Sequence, residues 1–178
     1  MGISTPSMHT LSNSTARTCT FQTSKLAPQR LYMTFPTLQD QTKITDSQKR
    51  ILRQLTRVIS ELVNSSEFEE LIELNGWSSK WGHCRVASEA LQILAWEVAG
   101  AYLATMNFKD GNFSHWFLMD PESGDVYDPT SFQFGGNDVS EVYERAVARG
   151  IQSRIRNSPY TRSPATLMLI DVVNESVS

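Results

Sequence analysis

Acidic residues are missing from the first 39 positions, and the 178-residue chain holds only two cysteines, three histidines and no apolar run near the roughly twenty residues needed to cross a bilayer. Each shortage excludes something. Cys19 lies in a polar stretch and Cys84 at the head of an amphipathic one, so no disulfide framework is expected, and free thiols suit a reducing compartment, the cytoplasm. The N-terminus lacks the apolar central segment of a secretion signal. With 16 basic residues against 19 acidic ones, a net charge of -3, there is no cationic surplus to neutralise phosphates, which argues against a nucleic-acid partner. The one basic cluster, Arg145, Arg149, Arg154, Arg156 and Arg162, lacks the aromatics that alternate with charges in single-strand binders and reads as a solvated helix face and loop. No Cys-x-x-Cys, His-x-x-x-His or His-Glu-x-x-His spacing occurs. Cys84, His83 and His115 are three soft or borderline donors, but zinc sites show paired ligands at short fixed spacings, so neither metal nor cofactor is expected.

What is present begins with a polar stretch. Residues 1–43 are rich in Ser, Thr and Gln without periodicity and are expected to form a flexible tail, because they cannot bury enough apolar area to offset their ordering entropy. Arg17, Lys25 and Arg30 in an acid-free background also fit an organelle transit peptide, and Met33 offers an alternative start. Residues 44–178 read as a single α+β domain, and 40% hydrophobic content is enough for one core. The spacing of Ile51, Leu52, Leu55, Val58, Ile59 and Leu62 predicts a helix over 47–63, capped by Thr45 or Asp46. Ser66-x-x-Glu69 predicts a second, short helix ended by Asn75-Gly76. A third helix should start at Cys84 and stop near Gly100, with Ala87, Ala90, Leu91, Leu94, Ala95 and Val98 on a small-residue face suited to a sheet. Three strands, over 102–108, 113–119 and 126–128, follow with connections short enough for an antiparallel meander. A helix over 139–149 and an apolar segment over 167–173 complete the domain; Ser163-Pro164 fits a helix start for the latter, although Leu167 to Ile170 serve equally as a strand.

Chemistry centres on Cys84. At a helix N-terminus, the dipole and the unpaired first-turn N–H groups favour a thiolate, the form that attacks carbonyl carbon, and those N–H groups can also donate to a developing oxyanion. His115 lies within the second strand, sharing one face with Phe117 and Met119 while Trp116 and Leu118 take the other. Asp128 ends the third strand before Pro129. Thiol, imidazole and carboxylate in that order are the parts of a nucleophile, a proton shuttle and a group that fixes the imidazole tautomer. Each alone has a plainer reading: a buried small hydrophobe, a core histidine, and an Asp-Pro-Thr turn. His83, next to the thiol, is a rival base, but adjacent residues at a helix start point apart, so it is expected to cap the helix or face substrate. Trp116 or Trp81 is expected to line the substrate groove, and Gln133 or Ser88 to supply polar contacts to substrate.

Taken together, Cys84 at its helix start, His115-Trp116-Phe117 in a strand and Asp128-Pro129-Thr130 after another resemble the papain-like superfamily in its transglutaminase-like and arylamine N-acetyltransferase-like branches. Gly82-His83-Cys84 with Ala87-Ser88-Glu89-Ala90, Ser114 to Leu118, and Asp128 to Phe134 are similar to a group of uncharacterised small proteins of phages and prokaryotes. The resemblance covers residues 77–134. It implies helices, among them the Cys-bearing one, packed on a small antiparallel sheet. It also implies a Cys84-His115-Asp128 triad that works without a cofactor as a thiol hydrolase or acyltransferase on a small-molecule or peptide acyl substrate, in the host cytoplasm if the protein is phage-encoded. The alternative is a non-catalytic binding or inhibitor module that keeps the fold. One departure stands out: papain-like proteases carry an oxyanion-hole Gln shortly before the Cys, and the loop Asn75-Gly76-Trp77-Ser78-Ser79-Lys80-Trp81 has none.

Overall fold

Thr45 begins the ordered architecture, because its hydroxyl accepts the Gln48 N–H at 3.3 Å while its own N–H donates to Gln48 Oε1 at 2.8 Å, closing a capping box. The computed structural model describes residues 43–74, 82–150 and 163–177, and its described elements belong to one compact unit, Phe35–Ser178. Helix α1, Asp46–Val63, buries Leu52, Leu55, Ile59 and Val63 along one stripe, at the i, i+3, i+4 spacing its sequence carries. Helix α2 spans Ser66–Leu74. Its start is capped one residue earlier than expected, by Ser65, whose hydroxyl accepts the Phe68 N–H at 3.2 Å. Helix α3 runs His83–Ala99 and ends at Gly100 in the left-handed conformation. The tail, Cys19, the Asn75-Gly76 stop, Trp81, Arg154, Arg156 and Arg162 lie outside the described residues.

Strands β1 (Ala104–Asp110), β2 (Phe113–Met119) and β3 (Val126–Tyr127) form an antiparallel sheet in the order β1-β2-β3, the expected meander. β1 is displaced two residues from its expected span. Tyr102 and Leu103 are buried in the connection after α3, while a two-residue turn at Gly111-Asn112 lets Asp110 pair with Phe113. Helix α4, Ser140–Arg149, follows, and helix α5, Pro164–Val177, resolves the open choice for the last segment in favour of helix: Ser163 caps it by accepting the Thr166 N–H at 3.1 Å. The class is therefore α+β.

The sheet is covered on both faces. On one, α1, α3 and α5 bury Leu103, Leu118 and Tyr127; on the other, α4 brings Ala146, Val142 and Tyr143 against Ala104, Met106, Phe108 and Phe117. The register pairs Phe108 with His115 and Met106 with Phe117, so His115 belongs to the α4 face. Helix α3 is tied to the sheet by polar residues four apart. Cys84 Sγ lies 3.9 Å from the Ser114 carbonyl oxygen, Ser88 Oγ donates to the Trp116 carbonyl at 3.0 Å, and Gln92 Nε2 donates to the Leu103 carbonyl at 3.1 Å and to Thr105 Oγ1 at 3.2 Å. Four residues of helix rise about 6 Å and two residues of strand about 6.7 Å, so helix and strand stay in step along this seam. Among the described residues, no helix is long and apolar enough to cross a membrane.

Candidate active site

Gly82 sets the entry of α3. Its φ of 108° is a backbone state that side-chain-bearing residues rarely adopt, and it turns the chain so that the Gly82 carbonyl accepts the Val86 N–H at 3.0 Å. The N–H groups of His83, Cys84 and Arg85 precede that bond and have no helical acceptor, and Gly82 offers no side chain to cap them. Cys84 is thus a buried thiol in the first turn, beside β2.

His115 is fully enclosed. Its Nε2 meets Asp128 Oδ2 at 2.7 Å, and its Nδ1 is buried without a hydrogen bond of ordinary geometry. Cys84 nonetheless lies near enough to interact with the ring. Burial opposes a charge on this imidazole. The hydrogen bond to Asp128, the interaction with Cys84 and the charges of both together outweigh it, and the His115 pKa is pushed up to about 9 from an ordinary value of 6.5. The ring sits among aromatics: Phe117 at 6.2 Å and Phe113 at 6.5 Å between centroids, both stacked, and Phe134 edge-on at 4.7 Å.

Asp128 is held from four directions. Oδ1 accepts the Thr130 N–H at 2.9 Å and the Thr130 hydroxyl at 3.1 Å, while Oδ2 accepts from His115 and from the Tyr143 hydroxyl at 2.9 Å. The sequence left Asp-Pro-Thr as either a turn or part of a site, and here one carboxylate does both, one oxygen closing the turn and the other serving the imidazole. Burial first, and then the neighbouring Asp128 charge and hydrogen bond, raise the Tyr143 pKa, so its hydroxyl stays a donor throughout the neutral range.

Comparison of the chain with family models, characterised proteins and solved structures gives no match.

Of the residues named from sequence, Cys84, His115 and Asp128 come together, and the others do not join them. Ser88 is buried with its hydroxyl tied to the Trp116 carbonyl, which makes it a link between α3 and β2 rather than a groove residue. Trp116 is half-buried on the opposite face of β2 from His115. Gln133 is exposed on a short 3-10 turn, Ser131–Phe134. His83 is half-buried and turned toward α2, its ring edge against Phe68 at 5.5 Å and its Nε2 buried without a partner; burial lowers its pKa, against the pull of Glu69. Trp81 lies outside the described residues. Among the described residues, no group of three or more His, Cys, Asp or Glu is arranged to hold a metal ion.

Thr130, Tyr143, Phe113 and Phe134 were missed. Thr130 was readable, since an Asp takes the N–H two residues on in the commonest Asx turn. Tyr143 carries no local signal, because its relation to Asp128 arises only when α4 folds back on the sheet. Tyr143→Phe is expected to lower stability by about 1.5–3 kcal/mol, the worth of a hydrogen bond to a charged group. Urea unfolding measures it, and a loss below about 0.5 kcal/mol would show that the hydroxyl does not support Asp128.

Proposed function

We propose that the protein is a thiol-dependent hydrolase or acyltransferase of papain-like or transglutaminase-like type. The observation that carries the reading is the buried His115, joined to Asp128 through Nε2 at 2.7 Å, with no hydrogen bond at Nδ1, and close enough to Cys84 to interact with it. In this reading Sγ, as thiolate, attacks the carbonyl carbon of an amide, ester or thioester, and the resulting oxyanion takes hydrogen bonds from the uncapped first-turn N–H groups of α3. The tetrahedral species collapses by breaking the bond to the leaving heteroatom, which takes its proton from the His115 imidazolium. Water or an amine then attacks the acyl-thioester, gives its proton to His115, and frees Sγ. Asp128 fixes the ring and balances its charge, and no cofactor takes part. An imidazole already protonated near neutral pH, as a pKa of about 9 implies, starts this cycle as an acid rather than a base.

The complete enclosure of His115 favours a second reading, a non-catalytic binding module in which the same residues only pack. Alkylation by iodoacetamide separates the two. In a Cys19→Ser background, where Cys84 is the sole thiol, His115→Asn is expected to slow Cys84 alkylation at pH 7 about tenfold or more, because the thiolate loses the imidazolium charge that favours it. Cys84→Ser should fold normally, as judged by circular dichroism. Equal alkylation rates with and without His115 would favour the binding module.

A further inference from the structure

The rings that seal His115 are not equally held. Phe117 is wholly buried in the sheet core. Phe134 is half-buried and ends a four-residue 3-10 turn whose Ser131 and Gln133 are exposed, and it is followed by Gly135 and Gly136, with φ of 62° and 80°, and by exposed Asn137 and Asp138. Two successive left-handed residues make a sharp reversal that glycine adopts without steric cost and that other residues resist. The turn is anchored by local bonds: Gln133 N–H to the Thr130 carbonyl at 3.0 Å, Gly135 N–H to the Phe132 carbonyl at 3.0 Å, and Asn137 Nδ2 to the Phe134 carbonyl at 2.7 Å. Beyond Phe134 the apolar wall continues outward through Phe113, which is 41% exposed, meets Phe134 at 6.0 Å between centroids and Phe108 at 6.0 Å, and stacks on His115.

We propose that the ring of Phe134 occupies the seat of the substrate's acyl side chain, and that this seat, bounded by Phe113 and His115, takes an apolar and preferentially aromatic group. The proposal rests on the thiol-enzyme reading and deepens it. A substrate's leaving group cannot meet a fully enclosed imidazole unless a covering ring moves, and of the rings around His115 Phe134 is the one carried on a short turn rather than on strand β2, while its neighbour Phe132 stays packed on the core. What replaces it meets the rings of Phe113 and His115, a surface that rewards aromatic over charged or small polar groups.

The test is a pair of alkylating reagents of one chemistry and two shapes, iodoacetamide and 2-iodo-N-phenylacetamide, each losing iodide to the Cys84 sulfur in the Cys19→Ser background. Phe134→Ala is expected to raise the rate with the phenyl reagent about tenfold or more and the rate with iodoacetamide less than about threefold, because the hole left fits a ring. Phe134→Leu, which keeps an apolar cover, should hold both rates near the parent's. Equal acceleration of both reagents by Phe134→Ala, or none for the phenyl reagent, would overturn the proposal. The thiol-enzyme reading is tested apart from this, by the effect of His115→Asn on iodoacetamide alone.

Discussion

Asp128→Ala is expected to destabilise the protein by about 3–5 kcal/mol, the largest loss of any single replacement at the site. The carboxylate is the common acceptor for His115 Nε2, the Tyr143 hydroxyl, the Thr130 N–H and the Thr130 hydroxyl, and both His115 and Thr130 are wholly enclosed. Removing it leaves a buried imidazole with neither nitrogen bonded and takes away the charge that holds its proton, while the Asp-Pro-Thr turn loses its closing contacts. Asp128→Asn keeps an acceptor for Thr130 but gives up the charge and turns a donor toward His115 or Tyr143, so it should fall between the parent and Asp128→Ala. Urea unfolding followed by tryptophan fluorescence measures all three, and a cost under about 1 kcal/mol for Asp128→Ala would mean that water reaches these donors.

The second large effect is on pH dependence. His115 binds its proton more tightly in the folded protein, with a pKa of about 9, than in the unfolded chain, where the ordinary 6.5 applies. The folded state therefore keeps a proton that the unfolded chain releases. That contribution is fully present below about pH 6.5 and disappears as pH climbs through about 9, a swing on the order of 3 kcal/mol. Unfolding free energy measured at pH 6.5, 7.5, 8.5 and 9.5 should decline through this window, and His115→Asn should flatten the decline. A parent protein equally stable at both ends would show that the imidazole is neutral when folded.

Much of this arrangement was legible in the residues, for identifiable reasons. Helix α1 declares itself by the 3.6-residue recurrence of Leu52, Leu55, Ile59 and Val63, and β2 by the alternation that puts His115 with Phe117 and opposite Trp116. The order Cys84, His115, Asp128 survives into space because the meander sets β2 between β1 and β3 and beside the start of α3. Groove residues were not legible. Ser88 and Trp116 sit in the right stretches, but the choice between facing substrate and facing a neighbouring element is made by tertiary packing, and both ended on the seam between α3 and β2. Tyr143 and Phe134 reach the site from segments whose sequence gives no hint of which strand they will cover.

The polar seam along α3 has a further bearing on how this chain tolerates change in length. Because Cys84, Ser88 and Gln92 meet the sheet at matched intervals, the helix is geared to the strand like a rack to a pinion. One residue added or deleted between Cys84 and Ser88 swings the sulfur about 100° around the helix axis, away from the imidazole, while leaving every downstream tooth engaged. The segment 84–92 is thus closed to insertions and deletions even where its composition is forgiving.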